Sequence, residues 1–236
     1  MASTMPSDMS ADVVVVGAGP GGSSTAYHLA RAGLDVILLE KSPFPRDKIC
    51  GDGLTPAAVH ELIAMGVDTT GWMRNRGLTV IGGGHTVHMD WPDQKSLPGY
   101  GMTRARMDLD HALARRAVEA GARLYEGVTV VGAIQDGTGR VVGVQAKSGR
   151  GKSTTTFEVR ASITVDAGGV AARLATGLGI DKKMNRPMGV AARAYFHSPR
   201  GDEEWMESHL ELWSGTPGAS DLLPGYGWIF PMGDGI

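Results

Sequence analysis

Three glycines near the start of the chain constrain its fold more than any other feature. Gly17, Gly19 and Gly22 have the spacing G-x-G-x-x-G; one apolar run precedes them, and a second follows and ends at Glu40. This order predicts a strand, a glycine turn, a helix and a strand that ends in an acid. In such a unit the helix N-terminus faces a pyrophosphate and the acid accepts hydrogen bonds from a ribose. The pattern predicts a dinucleotide site but does not separate NAD from FAD.

Composition limits the kind of protein this chain can be. Its 236 residues are 42% hydrophobic, which is enough to fill the core of one large or two small domains. A net charge of −2 without a basic patch argues against a nucleic-acid partner. The single cysteine, Cys50, excludes an intrachain disulfide and fits a reducing compartment. There is no basic leader, no membrane-length apolar run and no metal-ligand spacing, so we expect a cytoplasmic protein without a metal site.

Helical and strand-like patterns follow the first unit. Helices are predicted over Thr55–Met65, where Thr55 takes the N-cap position, and over Arg106–Ala120. Strand-like segments on either side of a glycine turn at residues 82–84 predict a hairpin within 78–91. The predicted strands of a small β-meander are Val128–Ile134, Val141–Ala146 and Phe157–Val159.

The last third of the chain changes character. A short apolar strand, Ser162–Val165, leads into a second glycine turn with the sequence DAGG. Beyond Pro187 the pattern predicts strands of a different sheet, at Gly189–Phe196, Ser208–Trp213 and Trp228–Pro231. This region is rich in aromatic residues, which suits a sheet that carries an apolar substrate.

Four segments beyond the glycine fingerprint carry a family resemblance. Arg106–Leu113 matches R-x-x-[FLM]-D-x-x-L, and Val165–Gly168 ends a strand with an Asp-containing turn. Together with the fingerprint, these segments resemble the FAD-dependent monooxygenase-like flavoproteins. KICGDGL at Lys48–Leu54 and GYGWIFPMGDG at Gly225–Gly235 are similar to the signatures of the geranylgeranyl reductase family. The resemblance covers the chain from residue 12 onward.

The resemblance implies an α/β fold: a Rossmann-like FAD-binding domain with a β-meander, plus an antiparallel substrate-binding sheet. The expected parts are a flexible tail at 1–11, an FAD-binding domain at 12–74 and 101–184, and a substrate-binding domain at 75–100 and 185–236. Relatives of this architecture continue with a further Gly-Asp segment that holds the flavin. We therefore expect the substrate-binding domain to be incomplete at its C-terminus, and residues 1–236 alone to bind FAD weakly and to be inactive.

Members of the geranylgeranyl reductase family saturate double bonds in isoprenoid chains, so the resemblance implies an FAD-dependent oxidoreductase that acts on CH–CH groups. The expected partner is a polyprenyl lipid: a geranylgeranyl group, an archaeal-type ether lipid or, by resemblance to actinobacterial-looking members, the side chain of menaquinone. A lipid substrate implies peripheral contact with a membrane. No second dinucleotide fingerprint is present, so NAD(P)H or another reductant would bind transiently.

The predicted cofactor-binding residues are Gly17, Gly19, Pro20, Gly21, Gly22, Glu40, Lys41, Arg46, Cys50, Gly51, Arg106, Val130, Asp166 and Gly168. Arg106 carries a fixed charge and five donors, which suit phosphate or ribityl oxygens, although a surface arginine fits the same pattern. Asp166 is expected to hold a ribityl hydroxyl. Arg46 is expected to offset the charge of the flavin or phosphate, or to be simply solvated.

The predicted substrate-binding residues are Tyr226, Trp228, Phe230 and Pro231. Alternation places the three aromatic residues on one face of a strand, which suits either a polyprenyl chain or an ordinary core. Cys50 is the predicted catalytic residue, because a thiol beside a flavin can act as a weak acid; the alternative is a small, inert cysteine.

Two other functions stay open from the sequence. A flavin monooxygenase or halogenase of the same fold is one, because GYGWIFP partly resembles the halogenase segment W-x-W-x-I-P, with Tyr226 in place of the first Trp. A flavin-binding fragment without turnover is the other.

Overall fold

The structure is a computed structural model, and it describes residues 8–149, 151–180 and 189–233. The first strand already begins at Asp8, so the prediction of a flexible tail over 1–11 is wrong for residues 8–11, which pair with a neighbouring strand. Residues 1–7 of that tail, Pro187 and the last two residues of the predicted GYGWIFPMGDG signature lie outside the described residues.

Four α-helices lie within the described residues: α1 (Pro20–Arg31), α2 (Pro56–Ala64), α3 (Arg106–Glu119) and α4 (Arg173–Gly177). Single 3₁₀ turns occur at Gly151–Ser153 and Gly169–Ala171. In α2, the Thr55 side chain accepts a hydrogen bond from the backbone N–H of Ala58, as an N-cap does. The predicted helices over Thr55–Met65 and Arg106–Ala120 are confirmed to within one residue at each end.

The strands of the described residues, in chain order, are β1 (Asp8–Val16), β2 (Val36–Glu40), β3 (Gly53–Leu54), β4 (Met73–Asn75), β5 (Gly77–Gly82), β6 (His85–Asp90), β7 (Gly101–Thr103), β8 (Arg123–Glu126), β9 (Val128–Gln135), β10 (Val141–Ser148), β11 (Thr155–Asp166), β12 (Trp205–His209), β13 (Leu212–Trp213), β14 (Leu222–Leu223) and β15 (Gly227–Ile229).

The chain divides into two compact units. The first comprises residues 1–47 and 107–186, and the second comprises 48–106 and 187–236. Residues 48–74 and 101–106, which the sequence places with the FAD-binding domain, thus cluster with the second unit. The assignment of a separate task to each unit is taken up as a proposal below.

The first unit is built on a six-stranded sheet with the order β8-β2-β1-β11-β10-β9. Its first four strands are parallel, and β10 runs antiparallel to both of its neighbours, β11 and β9. β11 is a single strand of twelve residues, so the two short strands predicted at Phe157–Val159 and Ser162–Val165 are one element. Its first half pairs with β10, and its residues from Glu158 to Asp166 pair with β1, so β11 joins the parallel and antiparallel parts of the sheet.

Buried aliphatic residues on both faces of this sheet form the core of the first unit. Val14, Ile37 and Leu39 are fully buried, and Phe157 and Leu174 pack in the same cluster. β2 is buried along its entire length, as expected for an inner parallel strand covered on both faces. The sheet therefore holds the ends of β1 and β2, where the glycine turn and Glu40 lie, on a rigid support.

The second unit contains a four-stranded sheet, β15-β12-β5-β6, and two smaller sheets, β3-β7-β4 and β13-β14. The larger sheet is mixed, since β12 runs parallel to β5 while its other two pairings are antiparallel. The predicted hairpin is present as β5 and β6. The predicted strand at Gly189–Phe196 is wrong: residues 189–197 form no strand, since none of the described strands pairs with them, and their side chains are mostly exposed. The predicted α/β class is confirmed.

Candidate functional site

The glycine turn between β1 and α1 is possible only with glycine at two positions. Gly17 has φ +97°, a conformation that other residues rarely adopt, and a Cβ there would lie 2.7 Å from the Ala167 carbonyl oxygen. A Cβ on Gly22 would lie 1.8 Å from the carbonyl oxygen of Gly17. The end of β1, the start of α1 and the DAGG turn after β11 therefore meet in direct backbone contact.

The outer side of the same turn is open. A Cβ added at Gly19 or Gly21 would meet no atom within 4 Å. Gly19 is the N-cap of α1 and supplies no side-chain cap, and Pro20 opens the helix without an N–H of its own. The first amides of α1 and its positive dipole end thus border free space, and this geometry fits the pyrophosphate of a dinucleotide.

Glu40, at the end of β2, is a buried carboxylate that fixes the glycine turn. One of its oxygens accepts hydrogen bonds from the Ala18 backbone N–H at 2.9 Å and from Arg46 Nη2 at 3.1 Å. The other oxygen accepts from the Ser42 backbone N–H at 3.1 Å. Two carboxylate oxygens have about four lone-pair sites, so Glu40 keeps capacity for a ribose hydroxyl.

Arg46 joins the two acidic groups of this region. Its Nη1 donates to Asp110 of α3 at 2.8 Å, and its Nη2 reaches both Glu40 and the Ala18 carbonyl oxygen. Its guanidinium also lies 5.0 Å from the ring centroid of Phe44. The Nε is buried and has no partner within the described residues. Arg46 is therefore not simply solvated: it pairs with two carboxylates of the protein, and its predicted role toward the charge of the flavin or phosphate stays a prediction.

The other predicted cofactor residues of the first unit have separate surroundings. Asp166 accepts hydrogen bonds from the backbone N–H groups of Gly168 at 3.0 Å and Ala175 at 2.9 Å, so it holds the DAGG turn against α4. Gly168 is tightly placed, since a Cβ there would lie 3.0 Å from Asp166 Oδ1. Val130 packs against the core, and Lys41 is exposed directly after Glu40.

In the second unit, the KICGDGL segment is organised by Asp52. One side-chain oxygen accepts from the Arg106 backbone N–H at 2.9 Å and from Arg193 Nη1 at 3.0 Å. The other accepts from the Tyr195 hydroxyl at 3.1 Å. Arg193 also donates to the carbonyl oxygens of Lys48 and Cys50, so its guanidinium closes the loop around the acid. Burial raises the pKa of Asp52, and Arg193 and the hydrogen bonds from Arg106 and Tyr195 offset that rise only in part.

Cys50 and Gly51 lie in the same loop. The Cys50 side chain is exposed, while its carbonyl oxygen receives the bond from Arg193. Gly51 has the Phe230 ring 3.7 Å from the position of an added Cβ, and at Gly53 that distance falls to 3.0 Å. The loop and the aromatic GYGWIFP segment are therefore packed against each other inside the second unit.

A cavity of about 340 Å³ lies in the second unit. Its aromatic lining comprises Tyr195, Phe196, Trp205, Trp228 and Phe230. Pro231 also lines it, whereas Tyr226 does not, although the Tyr226 ring centroid lies 5.8 Å from that of Trp228. Three of the four predicted substrate residues thus border one cavity.

The polar lining of the cavity falls into two clusters. Asp52 and Arg193 form one, together with the Tyr195 hydroxyl. The other contains Glu207, which is paired with Arg200 and with His209 Nε2 at 2.9 Å. Burial acts to raise the pKa of Glu207, but the hydrogen bonds from Arg200 and His209 outweigh it and hold the pKa below its ordinary value. Among the carboxyls that line the cavity, Asp52 therefore resists ionisation and Glu207 favours it.

Sequence reasoning missed Asp52, Arg193 and Glu207 as site residues. The sequence does carry a signal for Asp52, because it is the one acid of the KICGDGL segment and lies between two glycines. Arg193 gave no local signal because its partner, Asp52, is 141 positions away in the sequence. Glu207 gave none because it lies in a strand, β12, whose sequence pattern is ordinary.

Residues 10–220 match a protein family described as FAD binding domain. The chain belongs to this family. The predicted FAD cofactor is thereby confirmed, and the open, amide-lined start of α1 fits it. No helix within the described residues of this FAD binding domain is long and apolar enough to cross a membrane.

Several relatives of this FAD binding domain have names that describe reductases, while another is named tryptophan 2-halogenase. A Mycobacterium tuberculosis protein named menaquinone reductase is 43% identical over 98% of this chain and 54% of its own length. Digeranylgeranylglycerophospholipid reductase 2 from Methanopyrus kandleri is 33% identical over 96% of this chain and 53% of its own. A geranylgeranyl bacteriochlorophyll reductase-like structure from Thermoplasma acidophilum superposes with a TM-score of 0.71 at 23% identity, covering 97% of this chain and 55% of that one. The chain thus spans about half the length of the relatives it matches.

Proposed function

We propose that this protein uses FAD to reduce C=C double bonds in the isoprenoid chain of a lipid, with the menaquinone side chain as the first candidate. The identity of 43% to a protein named menaquinone reductase supports the quinone, and the similarity to a digeranylgeranylglycerophospholipid reductase supports isoprenoid lipids in general.

The observation that carries this proposal is the aromatic cavity of the second unit. Trp205, Trp228 and Phe230 supply apolar walls, and only two small polar clusters interrupt them. Small-molecule sites combine such walls with a few placed polar groups, and an isoprenoid chain has methyl and alkene groups that match the walls. A polar substrate would leave the aromatic surfaces without a complementary partner.

The residues of the first unit support the binding of FAD. When bound, FAD supplies hydride transfer. The amides near Gly19 and Gly21 would receive the pyrophosphate, Glu40 would accept from the ribose, and Asp166 keeps the second glycine turn in place. The roles of Lys41, Val130 and Arg106 toward the cofactor are proposed from the family resemblance.

We propose that the first unit binds the dinucleotide and the second unit binds the lipid.

A lipid substrate also supports a peripheral contact with a membrane surface. The exposed apolar side chains of Ile49, Phe196 and Leu222 in the second unit are the proposed points of that contact.

The experiment is an anaerobic turnover of the full-length flavoprotein, chemically reduced, with menaquinone, followed by mass spectrometry of the quinone. The expected product carries two more hydrogens per double bond reduced, with matching oxidation of the flavin. A hydroxylated or halogenated product in air would instead support a monooxygenase or halogenase of the same fold.

A variant pair connects the reaction to the cavity. Trp228→Leu removes an aromatic wall and is expected to weaken lipid binding, seen as a higher KM. Trp213→Leu changes a tryptophan of the same unit that does not line the cavity, and its KM is expected to stay unchanged. Equal KM values in both variants would contradict the assignment of the cavity to the lipid.

A further inference from the structure

Arg193 and Tyr195 are two positions apart in a stretch with which none of the described strands pairs. Their side chains nevertheless reach the same acid. Arg193 Nη1 lies 3.0 Å from Asp52 Oδ1, and the Tyr195 hydroxyl donates to Asp52 Oδ2 at 3.1 Å. Side-chain contacts, and not a β-ladder, therefore hold this stretch beside the cavity.

The Arg193 guanidinium connects two separate parts of the second unit. On one side it holds the loop of the KICGDGL segment, because Nη1 also donates to the carbonyl oxygens of Lys48 at 3.2 Å and Cys50 at 3.3 Å. On the other side its Cζ lies 4.7 Å from the centroid of the Tyr195 ring, which is a cation–π distance. The ring is thus fixed twice, by the guanidinium over its face and by Asp52 at its hydroxyl.

The charged groups lie almost entirely behind the surface of the cavity. The side chains of Arg193 and Asp52 are only 6% and 4% exposed, whereas Tyr195 is 45% exposed and borders the cavity. A buried ion pair is little screened by salt, and a planar guanidinium can stack on a ring while its edge donates hydrogen bonds. The pair therefore supports an aromatic wall while it presents little charge to a lipid chain.

We propose that Arg193 is a positioning residue for the lipid site, which holds the Tyr195 ring and the KICGDGL loop together as one wall of the cavity. This inference rests on the proposed function, since that function assigns the cavity to an isoprenoid chain. Arg193 acts on the substrate through the Tyr195 ring, whose orientation decides how closely the wall packs against the chain.

Arg193→Lys in the full-length protein loaded with FAD tests this positioning role. Lysine keeps a positive charge beside the buried Asp52, but an ammonium group has no planar face to stack on the ring while it holds the loop. The KM for menaquinone should rise at least about tenfold, which corresponds to the loss of one hydrogen bond to a charged group. kcat should change less than KM, because the lost contacts position the bound chain and involve no reacting atom.

A double-mutant cycle shows whether Arg193 acts through Tyr195. Tyr195→Phe keeps the ring but loses the hydrogen bond to Asp52, so it should raise KM by a smaller factor than Arg193→Lys does. Because both changes loosen the same wall, the double variant should be impaired less than the product of the two single effects. Effects that simply multiply would show independent action and overturn the positioning role.

Arg74 and Tyr100 supply the matched control. Arg74 also lies over a tyrosine ring of the second unit, at 4.4 Å, and neither residue is among the described residues that line the cavity. Arg74→Lys and Tyr100→Phe should both keep the KM and kcat of the wild type. A rise in KM equal to that of Arg193→Lys would show a general effect of arginine loss and overturn the assignment to Arg193.

Hydrogen exchange tests the hold on the loop without turnover. The backbone N–H groups of Arg104 and Arg106 donate to Asp52, at 3.0 Å to its carbonyl oxygen and 2.9 Å to its Oδ1. If Arg193 fixes Asp52, these two amides should exchange several-fold faster in Arg193→Lys than in the wild type, while the amides of β6 exchange at the wild-type rate. Unchanged exchange at both amides would overturn the positioning role.

The outcomes separate this inference from the proposed function. An active wild type with an unchanged KM in Arg193→Lys would overturn the positioning role and leave the proposed function standing. A wild type that reduces no isoprenoid chain would overturn both. Should Arg193→Lys fail to fold, Tyr195→Phe decides, since its KM must then exceed that of Tyr100→Phe, and equal values would overturn the positioning role.

Discussion

Gly22, in the first turn of α1, faces the carbonyl oxygen of Gly17 so closely that a Cβ on residue 22 would lie 1.8 Å from that oxygen. No flexible side chain is involved in this contact, so neither partner can move aside without shifting the backbone. α1 can approach the end of β1 this closely only because residue 22 has no methyl group. That close approach sets the direction of the first amides of α1.

Gly22→Ala is therefore expected to destabilise the protein by about 3 kcal/mol or more, since added volume in a packed region already costs about 1–3 kcal/mol. Gly21→Ala is the matched control, because its Cβ would meet open space and alanine favours a helix over glycine by about 0.5–1 kcal/mol. Thermal or urea unfolding measures both. Equal stability of the two variants would contradict the close contact.

A second prediction concerns Arg46, which pairs with the buried carboxylates of Glu40 and Asp110. Arg46→Met is expected to cost about 3 kcal/mol of unfolding free energy, because removing one member of a buried ion pair leaves charge poorly compensated. Arg123→Met removes an exposed pair with Asp35 and should cost less than about 1 kcal/mol. Chemical denaturation at moderate salt measures both, and similar losses in the two variants would refute this ranking.

Two of the carboxyls that line the cavity, Asp52 and Glu207, are expected to affect stability with opposite pH dependence. The pKa of Asp52 is raised by burial, so the stability it contributes is present below its ordinary pKa and is lost as the pH rises through the raised value. Although burial opposes it, hydrogen bonds from Arg200 and His209 lower the pKa of Glu207. Its contribution is present above the ordinary pKa and is lost as the pH falls through the lowered value.

Unfolding curves at several pH values, from below the ordinary glutamate pKa up to neutral, test both signs. The unfolding free energy of the wild type minus that of Asp52→Asn should fall with rising pH, whereas the same difference for Glu207→Gln should fall with falling pH. Because each variant is compared with the wild type at the same pH, the other titrating groups cancel. Two differences that change in the same direction would contradict the opposite environments.

The exposed thiol of Cys50 gives a fourth prediction. Cys50 is the single cysteine of residues 1–236, so this part of the protein should take up one maleimide under native conditions, and Cys50→Ser should abolish that label. If Cys50 contacts FAD, as the family resemblance predicts, bound FAD should slow the reaction at least several-fold. Mass spectrometry of apo and holo protein measures it; equal rates would argue against that contact, and labelling only in denaturant would contradict the exposure.

Local features of the sequence were enough to predict the elements that depend on neighbouring residues. The turn at Gly17 and Gly22, the cap at Thr55 and the helix from Arg106 all follow from short-range chemistry, and all were confirmed. Gly189–Phe196 shows the opposite case, since its apolar and polar residues alternate as in a strand while no partner strand lies beside it. Alternation of apolar and polar residues shows which side chains a strand could bury. It does not show whether a neighbouring strand is available to form hydrogen bonds with it.

The residues of the candidate site also differ in whether neighbouring or distant residues define them. The fingerprint glycines and Glu40 could be predicted as cofactor-binding residues because their spacing in the sequence is short. Asp52 acquires its character from Arg193 and Tyr195, which are more than 140 positions away, and only the fold brings them together. The raised pKa of this acid comes from its burial in the fold, which those distant contacts offset only in part, and it is invisible in the KICGDGL segment itself.

The placement of β1 has a consequence for how the chain is made. This strand occupies the interior of the six-stranded sheet, between β2 and β11, and β11 ends at Asp166. The ribosome therefore synthesises the glycine turn early. However, β1 can pair on its second side only after β11 has left the ribosome. Until then one edge of β1 is open to pairing with other chains, which makes the nascent protein a natural client for chaperones that shield strand edges.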